Sequence, residues 1–266
     1  MMKRNYWFVV GVSFLIQQLA VADEPITTGF LNRSLTIGGE EYAYQVYIPA
    51  DYSPATKWAV VVDLHGGGSG GRDGLRQTRN GLANAIRNHP DWLPIIGLFP
   101  QSPDSDEWKG FNAELVIAEL DATLREYNGE HDRVYLTGLS MGGLGVYQLA
   151  RDYPDRFAAL VVSCSSPLRP PMVFKRAGLP DIDRSASGFA SVAEEMPELP
   201  IWIFHGTEDD AVPFNEAQMM VAALEEVGRE PRFTEYPGKD HRGGCGLPYL
   251  EEELWSWLLA IERASD

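Results

Sequence analysis

The residues predict an α/β fold: a mostly parallel, doubly wound sheet with an antiparallel N-terminal edge. Three observations carry that expectation. From residue 58 onward, short apolar runs alternate with stretches of helical period, the pattern of strands joined by crossover helices. Ahead of them, residues 35–37 and 41–48 flank Gly38-Gly39, two strand-like runs joined by a hairpin turn. Finally, Thr137-Gly138-Leu139-Ser140-Met141-Gly142-Gly143 sets a serine between two glycines where a strand passes into a helix.

Taken in order, the hairpin closes at Pro49 and at a turn over residues 51–54. Residues 58–64 are apolar except for Asp63, as a strand buried on both faces requires, and run into His65-Gly66-Gly67-Gly68. A carboxylate there needs a partner or a raised pKa. Next come a helix over 75–86, a strand over 94–99 and a helix over 113–127, in which Val116, Leu120, Leu124 and Tyr127 share one face. The run 133–136 is the strand before Ser140, and 144–152 the helix after it, stopped by Pro154. Strands over 158–163, 200–204 and 232–236, a helix over 215–227 and a last helix carrying Leu250, Leu254, Trp257, Leu258 and Ile261 complete the pattern. Residues 167–199, with five prolines, break the periodicity and read as a rim or small lid.

The N-terminus differs in kind. Lys3 and Arg4 precede an apolar stretch over 6–19, and Ala20-Val21-Ala22 offers a cleavage site before Asp23. Residues 1–22 therefore read as a secretory signal peptide and 23–266 as one domain, since no linker, repeat or low-complexity run divides the rest. The apolar run is short for a membrane anchor, so stable insertion after processing is not expected. The net charge of −16 disfavours nucleic acid and anionic membranes as partners. Two cysteines exclude a disulfide framework, and without C-x-x-C or H-E-x-x-H spacing neither a metal nor a cofactor is implied.

The chemistry gathers around Ser140. A serine on a sharp strand-to-helix turn stands clear of the sheet, and flanking glycines let strand and helix approach. Its hydroxyl needs a base, and the base needs an orienting acid. Of five histidines only His241 follows the last strand, where the chain order nucleophile, acid, base requires it. His65 and His205 sit in His-Gly pairs that suit loop bracing, while His89 and His131 lie in polar connections. The loop after residues 200–204 offers Glu208, Asp209 and Asp210, which position alone does not separate.

The segment His205-Gly206-x-x-Asp209-x-x-Val212-Pro213 resembles the H-G-x-x-D-x-x-V-P signature of dienelactone-hydrolase-like and lysophospholipase-like carboxylesterases of the α/β-hydrolase fold, which implies Asp209 as the acid and leaves Asp210 as the alternative. Leu64-His65-Gly66-Gly67-Gly68, Pro100-Gln101-Ser102-Pro103 with Trp108, residues 133–143 and Phe157-Ala158-Ala159 resemble the exported polyhydroxybutyrate-depolymerase and feruloyl-esterase-like branch sometimes labelled predicted peptidases. The resemblance implies an oxyanion hole from the backbone NH groups of Met141 and Gly67, with Gly68 the neighbour in register and Trp108 either a pocket wall or a structural pin. One departure stands out. Such proteins often carry a tryptophan shortly after the histidine, where this chain has Arg242-Gly243-Gly244-Cys245.

The reading implied is a secreted serine carboxylesterase acting on a small-molecule or polymer-linked ester. Its rivals are a prolyl-oligopeptidase-like serine peptidase and a non-catalytic binding protein on the same fold. Cys164 ends the strand after the Ser140 helix and Cys245 lies four residues past His241. Both loops should open on the same sheet edge, making the pair a candidate disulfide.

Overall fold

A computed structural model describes residues 27–104, 107–169 and 183–264; the signal-peptide reading of 1–22 lies outside them. Eight strands form one sheet in the order β1-β2-β4-β3-β5-β6-β7-β8. They are β1 (Gly29–Ile37), β2 (Glu40–Ile48), β3 (Trp58–Leu64), β4 (Ile96–Phe99), β5 (Gly129–Leu139), β6 (Ala159–Ser163), β7 (Ile201–Gly206) and β8 (Arg232–Tyr236). β2 pairs antiparallel with both β1 and β4, and every other pairing is parallel.

At the hairpin Gly38 and Gly39 take φ of 61° and 87°, which suits two glycines and matches the strands' twist. β1 begins six residues before the apolar run at Leu35 because its pairing to β2 is made by backbone, which no side-chain pattern announces. Within β3, alternate residues serve opposite faces. Val60, Val62 and Leu64 pack with α2 (Phe111–Glu126), α3 (Met141–Asp152), α4 (Ala186–Glu195) and α5 (Phe214–Glu226). Ala59 and Val61 pack with α1 (Leu82–Asn88) and, beyond the four-residue α6 (His241–Gly244), α7 (Glu252–Leu259). Two covered faces explain why the central strands lack polar alternation.

Three segments depart from the sequence reading. The helix expected over 75–86 is a single 3-10 turn at Arg76–Thr78 followed by α1, because Gly81 at φ 65° breaks the path. That break aims the Leu82 NH at Asp63, 3.1 Å away, while the Tyr249 hydroxyl donates to the other carboxylate oxygen at 3.3 Å. Burial pushes the Asp63 pKa up to about 7, against the pull of these two donors. In α7 the core positions fall to Leu254, Trp255 and Leu258, and Leu250 is exposed on a preceding 3-10 turn. The later half of the 167–199 segment, aperiodic in sequence, holds α4, which buries Phe189, Val192 and Ala193 in the core as the crossover from β6 to β7, while residues 170–182 lie outside the described residues.

The face expected on α2 is buried as read, at Val116, Leu120, Leu124 and Tyr127. Glu119 joins it, fully buried with neither oxygen hydrogen-bonded among the described residues, and burial holds its pKa well above the usual carboxylate range. Winding from β3 to β4 runs one way and from β5 to β8 the other, so the topological switch point falls between β3 and β5, where a sheet of this kind opens a crevice at its carboxyl edge.

Candidate active site

Ser140 stands at that switch point, between the end of β5 and the first residue of α3, with φ 55° and ψ −118°. A non-glycine residue in this region carries about 1–3 kcal/mol of strain. Its backbone is held from both sides: the Ser140 NH donates to the Ser163 carbonyl at 2.9 Å, and the Ser165 hydroxyl donates to the Ser140 carbonyl at 2.7 Å. The flanking glycines are required by contact rather than by conformation. A Cβ on Gly138 would collide with the Gly142 backbone, and one on Gly142 with the Leu64 carbonyl, so β3, β5 and α3 meet here backbone to backbone.

His241 opens α6, whose N-cap Asp240 accepts the Gly243 NH at 2.7 Å. The loop before it is locked to the end of β7. The Glu208 NH donates to the Lys239 carbonyl at 3.0 Å, and a Cβ on Gly206 would strike that same carbonyl. This joins the loop carrying the acid to the loop carrying the histidine. His241 Nδ1 lies 2.8 Å from Asp209 Oδ2 and Nε2 lies 2.9 Å from Ser140 Oγ. A carboxylate only accepts, so Nδ1 carries the proton and Nε2 is left to accept from the serine hydroxyl.

The structure separates the three acids. The Asp209 side chain is fully buried beside His241, whereas Glu208 and Asp210 are exposed. Burial by itself would raise the Asp209 pKa, but hydrogen bonds from His205, His241, Val212 NH and Ala211 NH outweigh it and hold the carboxyl well below the usual range. His205 Nε2 donates to the Val212 carbonyl at 3.0 Å and lies 3.3 Å from Asp209 Oδ2, so this histidine braces the acid loop. His65 is likewise a brace. Its Nδ1 donates to the Gly66 carbonyl at 2.8 Å, its Nε2 accepts the Ser102 NH at 3.1 Å, and burial lowers its pKa to about 4. Gly66 is pressed against Leu139 and Ser140, which brings the exposed Gly67 and Gly68 to the same edge as the Met141 NH at the start of α3.

Residues 35–244 match the Esterase family model. The chain belongs to the Esterase family. Over 117 residues it is 30 % identical to feruloyl esterase B of Neurospora crassa, which covers 40 % of this chain and 38 % of that one. Over 85 residues it is 31 % identical to acetylxylan esterase A of Emericella nidulans, covering 27 % of this chain and 28 % of the relative. The chain thus spans less than half the length of these curated relatives. A solved thermostable esterase superposes with TM-score 0.68 at 28 % identity, covering 88 % of this chain and 63 % of that one. No helix among the described residues is long and apolar enough to cross a membrane.

In this esterase-family chain the structure takes one of the two readings left open for Trp108 and differs from the expectation for the cysteine pair. Trp108 is not a pocket wall: it is 1 % exposed, stands edge-on to the His65 ring at 4.7 Å, donates to the His65 carbonyl at 3.3 Å and fills the space left by Gly145. Cys164 and Cys245 do meet, with thiols within 4.8 Å of each other, but they are free cysteines rather than a disulfide. Cys164 takes φ 47°, and Cys245 sits against His241 with Sγ 3.6 Å from Nδ1. The hydrogen bond to Cys164, with burial, drives the Cys245 thiol pKa up. What ties the histidine loop to the sheet is instead the Ser163 hydroxyl, which donates to the Cys245 carbonyl at 2.8 Å. Ser163, Ser165 and Asp240 carry no motif, so only their positions in the fold reveal their parts.

Proposed function

We propose that the protein is a serine carboxylic ester hydrolase. The observation that carries the reading is the unbroken hydrogen-bonded relay from Ser140 through His241 to Asp209, on the strained turn of an esterase-family chain. In this mechanism Ser140 Oγ attacks the ester carbonyl while His241 Nε2 takes its proton, and the resulting imidazolium is held by Asp209. The oxyanion lies against the NH groups of Met141 and Gly67, at the positive end of α3. His241 then returns the proton to the departing alcohol, water attacks the acyl-enzyme, and Ser140 is released. Strong acceptance of hydrogen bonds by Asp209 keeps it ionised across the working range, so His241 stays in the tautomer that can accept.

The substrate class proposed is a feruloyl or acetyl ester carried on a polysaccharide or a small alcohol. The names of the Neurospora and Emericella relatives support it, as does the exposed Gly67–Gly68 edge, which leaves the serine open to a bulky chain. Export, with cleavage before Asp23, belongs to the same reading. Ser140→Ala should fold normally and lose about 10⁴-fold or more in kcat on such esters. A fluorophosphonate probe should label the wild type at Ser140 and leave the variant unlabelled. Retention of a tenth of the activity would remove Ser140 as nucleophile.

A further inference from the structure

Overlapping the relay lies a second arrangement, which adds to His241 and Asp209 two thiols that ester hydrolysis does not use. The donor atoms of Cys164, Cys245, His241 and Asp209 all lie within 4.8 Å of one another, although they come from three loops at the ends of β6, β7 and β8. Two thiols, one imidazole and one carboxylate form a complete four-donor set for a borderline-soft divalent cation. No spacing motif marks it, because the donors converge only through the sheet.

We propose that this cluster is a binding site for a zinc-class divalent cation, and that occupation of it switches the relay off. In a tetrahedral zinc site with bonds of about 2.0–2.3 Å, donor atoms stand roughly 3.3–3.8 Å apart. Cys245 Sγ and His241 Nδ1, at 3.6 Å, already have that separation. Asp209 Oδ2 and His241 Nδ1, at 2.8 Å, would part slightly as the ion takes the place of the proton between them. The outer partners that such a site needs are also present. The Ala211 and Val212 NH groups hold the other Asp209 oxygen at 2.9 and 2.8 Å, and the Ser163 hydroxyl holds the Cys245 carbonyl.

The consequence for the relay follows from proton balance. Binding releases the two thiol protons to solvent. The metal takes the Nδ1 lone pair of a neutral imidazole, so the imidazole proton moves from Nδ1 to Nε2. Nε2 then donates to Ser140 Oγ where it previously accepted, and no base remains for the serine proton. The triad's acid is engaged by the same ion. The inhibition rests on the function proposed above; the binding does not.

The test uses the mature, reduced protein and Cd²⁺ as a spectroscopic stand-in for zinc. Titration should give one Cd²⁺ per chain with an ultraviolet thiolate-to-metal charge-transfer band. Cys164→Ser and Cys245→Ser, each checked for folding by circular dichroism, should weaken binding on the order of 100-fold or more and lose the band's full intensity, while Asp210→Asn binds like wild type. In parallel, one equivalent should abolish ester hydrolysis, and a chelator should restore it. A protein with no charge-transfer band, or a band and an affinity unchanged in both cysteine variants, overturns the site. Thiols that stay joined in a disulfide resistant to reduction, with no metal bound, overturn it equally. Stoichiometric binding with no change in ester hydrolysis keeps the site and overturns the switch. A protein that binds Cd²⁺ but hydrolyses no ester sinks the proposed function and leaves the site standing.

Discussion

Replacing Asp63 by Asn tests the internal electrostatics of the sheet directly. The Asp63 carboxyl sits in the central strand β3, 3 % exposed, with only the Leu82 NH and the Tyr249 hydroxyl as donors among the described residues, and Tyr249 in turn lies 2.9 Å from the Thr137 hydroxyl. Holding its proton to about pH 7 instead of the ordinary 3.8 corresponds to about 4 kcal/mol at most. Because the folded-state pKa is the raised one, this stability is fully present below pH 3.8 and is lost as the pH rises to about 7. An asparagine has the shape of the protonated acid, keeps one oxygen to accept the Leu82 NH, presents its NH2 to the Tyr249 hydroxyl oxygen, and cannot ionise. The two proteins should therefore be of similar stability near pH 4, and the variant should pull ahead with rising pH to a plateau of up to about 4 kcal/mol above pH 7, or on the order of 10 °C in Tm for a domain of this size. Urea unfolding of both proteins at half-unit intervals between pH 4 and 8.5 reads this difference. Parallel profiles, or a variant weaker at every pH, would show that two hydrogen bonds suffice to hold Asp63 ionised and that the burial argument is wrong.

Three further outcomes are expected. Asp209→Asn should cut kcat by about 10⁴-fold, since an amide at that position favours the wrong histidine tautomer, whereas Asp210→Asn should stay within about twofold of wild type; steady-state kinetics on an aryl ester would reverse the assignment if the order were opposite. Gly142→Ala should destabilise by about 4 kcal/mol or more, because the Leu64 carbonyl that its methyl meets belongs to the central strand and has nowhere to move, and a Tm within 2 °C or so of wild type would show the β3–α3 contact to be pliable. Intact mass of the protein recovered outside the cytoplasm should begin at Asp23, and finding Met1 retained there would replace the signal-peptide reading with an anchor.

The linear sequence alone determined the α/β class, the hairpin edge, most strand and helix positions and the neighbourhood of the site. Those features are written in short-range periods: continuous apolar runs for β3 and β6, one helical face for α2, paired glycines at 38–39 and around Ser140. Ser140 and His241 were legible because chain order leaves one place for each. The rest depended on contacts between residues far apart in the chain. Asp209 and Asp210 are chemically alike and adjacent, and only the turn after β7 decides that one faces His241 and the other solvent. Trp108 became a buried pin because Gly145, on another element, leaves the space it fills. The segment before α5 looked irregular from its prolines, yet α4 packs into the core because Phe189 finds an apolar face that no local pattern describes. Cys164 and Cys245 are 81 positions apart, and whether such a pair forms a bond, a hydrogen-bonded couple or two limbs of a metal site turns on a few ångströms between loop ends, a distance that exists only once the sheet has brought β6, β7 and β8 side by side.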